Sequence, residues 1–255
     1  MIIIKSEREI DIMRKAGEIT AIVLEKLEDM ISPGIMTLEL DRIAEETIKK
    51  HGGIPSFKGY KSVTGAPDYP ASICTSVNDE VVHGIPGLRV LKDGDIISID
   101  VGVYYNGYHA DAARTFPVGS ISGNAARLIN VTRESFYKGI EFAVEGYRVS
   151  DISAAIQQCV ESHGYSVIRD YVGHGIGKDM HEAPQVPNYR TKVRGPRLER
   201  GMTLAVEPMV NEGSYHVKVL DNKWTVVTKD GKLSAHYENT ILVTENKPLI
   251  LTALG

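Results

Sequence analysis

Two stretches of the chain repeat a helical spacing of apolar residues. In TLELDRIAEETIKKHGG (37–53) they fall at Leu40, Ile43, Ala44, Thr47 and Ile48. In SDISAAIQQCVESHGY (150–165) they fall at Ile152, Ala155, Ile156, Cys159 and Val160. Both follow i, i+3, i+4, i+7, i+8, which lines one helix face with apolar groups. Each run then reaches a His-Gly pair, a helix stop. Strand periodicity appears between them. IISIDVGVYY (96–105) and YHADAARTF (108–116) alternate, and Asn106-Gly107 between them is a two-residue hairpin signal. With Tyr105 opposite Tyr108, Asp111 falls opposite Gly102. Asp100 lies two residues from Gly102 and points to the same face. Asp100 and Asp111 are then diagonal neighbours, with Cα atoms roughly 7–8 Å apart.

The two helical stretches head longer similar segments. VVHGIP (81–86) is matched by VGHGIG (172–177), and LKDGDIISID (91–100) by LERGMTLAVE (198–207). Each of the latter reads Leu-x-x-Gly, five residues, then an acid. Each is followed by a strand with a second acid, Asp111 in YHADAARTFPV and Glu238 in AHYENTILVT. The pattern predicts a duplicated αβ chain, a single catalytic domain over 1–255 with halves of about 1–120 and 121–255. The alternative is a chance likeness of helix and strand patterns. Halves related by a pseudo-twofold axis would each bring a His-Gly-Ile element and two strand-borne acids to the middle.

Carboxylates that converge among apolar strands repel unless protonated or neutralised by a cation. One Asp solvated on the open hairpin face would also relieve the repulsion. Glu207 and Glu238 at the matching places of the second half favour convergence. With His174 they make five candidate metal ligands: Asp100, Asp111, His174, Glu207 and Glu238. Four hard oxygen donors and one imidazole suit a pair of divalent cations better than a structural zinc. A carboxylate-bridged pair is the usual hydrolytic arrangement, which activates water and polarises a carbonyl. The competing explanation is a salt-bridge cluster with Arg114 and neighbouring basic residues. The stretch DYVGHGIGKDMHEAPQVPNY (170–189) holds His174 and His181. His181-Glu182 begins like a helical zinc motif, but position 185 is Gln rather than His. Gly173, Gly175, Gly177, Pro184 and Pro187 oppose a helix, so the stretch is loop or strand.

Composition narrows the class. The 255 residues are 42% apolar and 24% charged with a net charge of −4, ordinary for a globular protein and without the basic character of a nucleic-acid binder. The N-terminal apolar run is too short for a signal peptide, and no segment approaches the ~18 apolar residues of a membrane span. Cys74 and Cys159 are too few for a disulfide framework. These features predict a cytoplasmic protein with reduced thiols.

The motifs VNDEVVHGIP, IDVGVYYNGYHADAARTF, VGHGIGKDMHEAPQVPNY, GMTLAVEPMV and DNKWTVVTKDGKLSAHYENTILVT together resemble the type I methionine aminopeptidases. The resemblance covers nearly the whole chain. It implies an α+β pita-bread fold, with antiparallel sheet around a dinuclear centre. The implied activity is removal of N-terminal methionine when the second residue is small. It places two divalent ions (Co, Mn, Fe or Zn) on the five ligands. Asp111 and Glu238 bridge, Asp100 holds one ion, and His174 with Glu207 holds the other. By the same resemblance His83 lies near the substrate amine and the attacked peptide nitrogen. His181 bonds the scissile carbonyl oxygen, and Glu207 also shuttles a proton to the leaving amine. The methionine pocket is expected from Phe57, Tyr60, Tyr69, Cys74, Met180 and Trp224. A structural monovalent cation is expected near Asn78 and Ser234. The implied partners are nascent polypeptide N-termini at the ribosome, with no direct nucleic-acid or membrane contact, and the implied state is a monomer. His51, His109, His163 and His216 are expected as turn, buried polar or exposed residues.

Two departures bear on the pocket: the segment 61–68 (KSVTGAPD) is longer than in the shortest bacterial relatives, and Met180 stands where relatives often have an aromatic residue. The close placement of His174 and Glu207 leaves no room for the helical insertion of type II enzymes. Two other functions remain open on the sequence, an X-Pro peptidase of the same fold and a pita-bread binding protein without catalysis. The first usually carries a large N-terminal domain; the second loses metal ligands.

Overall fold

Helices come in pairs along the chain. A computed structural model describes residues 1–62, 65 and 67–254. It begins with α1 (Glu7–Met30) and α2 (Thr37–Lys50), then β1 (Ile54–Pro55), β2 (Cys74–Val77) and β3 (Glu80–Val82). The hairpin β4 (Ile96–Tyr105) and β5 (Tyr108–Pro117) follows. The second helix pair is α3 (Gly123–Ile140) and α4 (Val149–Ser162). Short strands complete the chain: β6 (Ser166–Val167), β7 (Gly173–Gly175), β8 (Glu182–Val186), β9 (Thr203–Val206), β10 (Met209–Asn211), β11 (Val217–Val219), β12 (Val226–Thr228), β13 (Ser234–His236), β14 (Asn239–Leu242) and β15 (Leu249–Ile250).

Both expected amphipathic helices form. α2 buries Leu40, Ala44, Thr47 and Ile48, and α4 buries Ile152, Ile156 and Val160. Their His-Gly ends act as stops: His51 and His163 close the helices, and Gly52 and Gly164 take positive φ. α3 was not singled out by the repeat. Ser122 caps it, its hydroxyl accepting from the Ala125 N–H at 3.1 Å.

Every pairing of these strands is antiparallel. One sheet runs β1-β4-β2 with β5 on β4, another β15-β14-β9-β7-β8, and two three-stranded sheets run β13-β10-β6 and β11-β12-β3. The apolar interior divides in a similar way. Ile19, Val23 and Leu27 pack with Leu40, Ile48, Ile97, Ile99 and Val101. Leu128, Phe136, Ile152 and Ile156 pack with Leu204, Val206 and Ile241. Each helix pair thus covers strands that carry or directly flank two of the four acids.

α1 also meets the far end of the chain. A Cβ at Gly17 would lie 2.1 Å from the backbone oxygen of Leu251. Helix propensity favours Ala over Gly by about 1 kcal/mol, but forcing atoms into a packed backbone contact costs about 1–3 kcal/mol. Gly17→Ala should therefore melt at lower temperature than the parent, with about 1–2 kcal/mol less stability. A higher melting temperature for the variant would show that the contact yields freely.

Candidate active site

The hairpin sets the first two acids. Its register pairs Tyr105 with Tyr108 and Gly102 with Asp111, as the Asn-Gly turn requires. Asn106 and Gly107 take φ of +46° and +94°, the left-handed pair that matches the twist of a tight hairpin. Asp100 sits two residues before Gly102 on β4, and Asp111 is buried on β5.

The second two acids come from the later strands of the chain, beside β9 and β14. Asp111 and Thr240 are joined twice: the Asp111 N–H donates to Thr240 Oγ1 at 2.9 Å, and that hydroxyl donates to the Asp111 carbonyl at 2.9 Å. The Glu238 N–H donates to the Ala113 carbonyl at 2.9 Å. β5 and the β13–β14 segment are therefore stitched together, with Asp111 and Glu238 at the seam. Arg114 secures the same seam. Its guanidinium donates to the carbonyls of Ala113 and Glu238 and, at 2.6 Å, to Asn239 Oδ1. It binds backbone and amide oxygens, not the Glu238 carboxylate. Among the described residues, no lysine or arginine pairs with any of the four acids, which disfavours the salt-bridge cluster.

His174 lies on β7 opposite Ala205 of β9. Its Nδ1 is 2.8 Å from the Gly175 carbonyl. A carbonyl can only accept, so Nδ1 carries the proton and Nε2 keeps its lone pair. That Nε2 is 3.6 Å from Glu207 Oε1. Burial pushes the His174 pKa down to about 3, so the ring is neutral and able to ligate.

Donor atoms of Asp111, His174 and Glu238 lie within 4.8 Å of one another, as do those of Asp100, His236 and Glu238. Glu238 belongs to both groups and Glu207 to neither, although Glu207 Oε1 is 3.6 Å from His174 Nε2. Asp100 Oδ1, Asp111 Oδ1 and Glu238 Oε1 are buried without a hydrogen-bond partner. Orphaned carboxylate oxygens around two overlapping groups are the expected mark of a site built for divalent cations. Burial raises the Asp100 pKa to about 7, partly offset by a hydrogen bond with Asp111. Burial also holds Asp111, Glu207 and Glu238 well above the usual carboxylate range, and their mutual repulsion adds to it.

All five sites open into one cavity of about 530 Å³. His83, His181, Phe57, Tyr60, Tyr69, Cys74 and Trp224 line it as well. Tyr69 meets Trp224 edge-on at 5.2 Å between ring centres and Phe57 at 6.5 Å, giving an aromatic wall. Phe57 approaches because residue 102 has no side chain; a Cβ there would lie 2.8 Å from its ring. The Trp224 indole donates to the Pro67 carbonyl at 2.9 Å, so part of the 61–68 segment reaches the rim. Val63, Thr64 and Ala66 of that segment lie outside the described residues.

The two cavity histidines differ. His83 follows β3 with φ +59° and has its pKa lowered to about 4 by burial and by His181. His181 stands at the mouth, 4.3 Å from the His174 ring, and its Nδ1 is 2.6 Å from the Tyr60 hydroxyl. Desolvation lowers its pKa too.

Met180 is not brought to the cavity. It is buried with Met13, Tyr108, Ile176, Leu242 and Leu251, where α1 packs beneath the loop. Tyr171, Val219 and Lys223 also line the cavity, at positions that no motif marks. His236 carries a usable signal, its spacing of two from Glu238 on an extended segment. Of the remaining histidines, His51 and His163 close helices, His109 bonds Ser56 at 2.8 Å, and His216 is exposed.

Comparison with known proteins covers the whole chain. The family model for metallopeptidase family M24 matches residues 11–245. The methionine aminopeptidase of Clostridium perfringens is 60% identical, with 100% of both chains covered. The crystal structure of methionine aminopeptidase from Thermotoga maritima superposes with a TM-score of 0.95 at 47% identity, again with 100% of both chains covered. Prolidase from Pyrococcus furiosus shares the fold, with a TM-score of 0.77 at 24% identity, but this chain spans 66% of its length and it spans 99% of this one.

The acids make metal-free stability depend on pH. Asp100 has a folded pKa near 7, well above the unfolded value of about 3.9, so the folded state binds more protons between these values. Its stabilising protonated form is lost as pH rises through 7, and the other three raised acids extend the loss upward. The buried histidines act oppositely, but only below their unfolded pKa of about 6.5. Chelator-treated protein should therefore lose melting temperature as pH rises from about 6.5 through 7, and divalent cations should remove most of that slope. A flat apo profile over that range would contradict the buried-acid picture.

Proposed function

The chain belongs to metallopeptidase family M24 and has its pita-bread α+β fold, and from that premise we propose how its residues divide the work of removing N-terminal methionine. That hydrolysis is its activity, as a metalloaminopeptidase. The observation that carries the assignment of roles is the pair of donor groups sharing Glu238 and opening onto an aromatic-walled cavity. Asp100, Asp111, His174, Glu207 and Glu238 are the residues that would hold divalent cations. When bound, such cations supply Lewis acidity and bring the pKa of water toward neutrality.

The chain's own groups do the rest. Glu207 accepts the proton of the attacking water and returns it to the leaving amine. His83 faces the substrate amine and the peptide nitrogen. Tyr60 donates its hydroxyl proton to His181 Nδ1, which leaves the imidazole proton on Nε2 to bond the scissile carbonyl oxygen as it gains charge. Phe57, Tyr60, Tyr69, Cys74 and Trp224 receive the methionine side chain. The leaving residue must fit beside the metal ligands and His83, so small second residues are preferred.

The oxygen-rich donor set accepts Co, Mn, Fe or Zn. A structural monovalent cation would sit near Asn78 and Ser234, whose backbones meet where the Ser234 N–H donates to the Asn78 carbonyl at 2.9 Å. The substrates are nascent polypeptide N-termini at the ribosome, met in the cytoplasm by a monomer. The net charge of −4 argues against direct nucleic-acid docking, and among the described residues no helix is long and apolar enough to cross a membrane. Residues 1–255 act as one catalytic unit of related halves, about 1–120 and 121–255. Support comes from the matching helix stops and from Gly94 and Gly201, both at positive φ before their acid-bearing strands.

Activity on Met-Ala-Ser should disappear on chelation and return with Mn, Fe, Co or Zn. Met-Arg, Met-Trp and X-Pro peptides should be cleaved far more slowly; equal rates on any of them would overturn the proposed specificity. His174→Ala should lose at least one ion. His181→Ala should keep both ions and lose on the order of 10²–10³ in kcat. The reverse pattern of metal contents would mean that the two histidines are exchanged in role. Tyr60→Phe should keep full metal and lose about tenfold in kcat, a fraction of the His181 effect, because it removes only the group that fixes the tautomer. Unchanged turnover would remove Tyr60 from this role.

A further inference from the structure

Behind the acids stands an imidazole that the mechanism leaves unused. His236 ends β13 opposite Met209 of β10. Its backbone is fixed twice by Thr115: the His236 N–H donates to Thr115 Oγ1 at 2.8 Å, and that hydroxyl donates to the His236 carbonyl at 2.9 Å. The side chain is 2% exposed. Its Nε2 lies 3.7 Å from Glu238 Oε2 and 3.9 Å from Glu207 Oε2. That nitrogen is buried and has no hydrogen-bond partner.

A buried polar atom without a partner is costly, and so is a buried carboxylate oxygen without a donor. Among the described residues, His236 is the only basic group within 4.0 Å of the Glu238 carboxylate. The five proposed ligands line the cavity, and His236 does not. It therefore approaches the carboxylates from the side away from substrate. A carboxylate that ligates a cation still needs its outer electron pairs satisfied, and a donor there fixes its orientation.

We propose that His236 is a positioning residue that donates Nε2–H to the outer oxygens of Glu238 and Glu207 when these carboxylates take up cations. This rests on the assignment of Glu207 and Glu238 as ligands. Shortening the present separations to a charge-assisted bond of about 2.8 Å needs a side-chain shift of about 1 Å. Direct ligation is the competing geometry, since Asp100, Glu238 and His236 offer atoms within 4.8 Å of one another.

Calorimetric titration of metal-free parent, His236→Leu and His236→Gln with Mn or Zn separates these. The Leu variant should still reach two ions but bind them about 10–100-fold more weakly. The Gln variant, whose amide can donate, should stay close to the parent. In zinc-loaded parent labelled with ¹⁵N-histidine, His236 Nε2 should carry a proton. Parent-like affinity in the Leu variant would overturn the proposal. So would permanent loss of one ion, or an Nε2 resonance shifted as a metal-bound nitrogen. If the Leu variant fails to fold, the protonation of Nε2 decides alone. Failure of the parent to cleave Met-Ala-Ser would overturn the functional assignment, whereas the titration tests His236 independently of turnover.

Discussion

Four carboxyl groups share the floor of one cavity, and no lysine or arginine of the described chain pairs with any of them. Unpaired charges of one sign cannot stay buried together, so the groups must be protonated or neutralised by cations. The raised pKa values of Asp100, Asp111, Glu207 and Glu238 express the first condition, and the orphaned oxygens await the second. Arg114 shows that the basic residue nearest in sequence is not spent on charge balance. Its guanidinium donates to backbone and amide oxygens and not to the Glu238 carboxylate.

Such a floor is stable only if the surrounding frame holds the acids at close range against their repulsion. Two separate apolar interiors provide that frame, one beneath α1 and α2 and one beneath α3 and α4. The acids lie where the two meet. Backbone bonds between Ala113 and Glu238, and the Thr240 hydroxyl against Asp111, cross the seam within the acid-bearing segments themselves. A small relative movement of the two interiors would therefore move candidate donors of both groups at once. This places metal affinity under the control of strand packing as well as ligand chemistry.

The parts of this arrangement visible in the sequence are those set by short-range periodicity. Asn106-Gly107 dictates its own turn, and a fixed turn dictates the register of Asp100 and Asp111. The helical period placed α2 and α4 because their faces are set by spacing alone. Pocket membership is different, because it depends on how remote elements pack. Met180 adjoins His181 in the chain yet turns under the loop against Met13 of α1. Tyr171 and Val219 reach the cavity from loop and strand positions that carry no periodic signal. His236 was legible in principle, two residues before Glu238. The repeat itself marked the position, since His109 stands two residues before Asp111 as His236 does before Glu238.

The repeated His-Gly-Ile elements show how similar halves yield an unsymmetrical site. His174 lies within extended strand β7, and its Nδ1 proton is tied to the Gly175 carbonyl, so the Nε2 lone pair faces Glu207. His83 leaves β3 at φ +59° and instead packs edge-on to Tyr171 and Trp224. It belongs to neither group of candidate metal donors. One backbone turn thus separates a proposed ligand from a proposed substrate contact although the local sequences match. A peptide is directional, with an amine at one end of the cavity and a departing chain at the other. A centre with identical histidines in both halves would offer the same groups to both ends. The left-handed turn at His83 breaks that equivalence, so the two ends of the cavity present differently placed imidazoles.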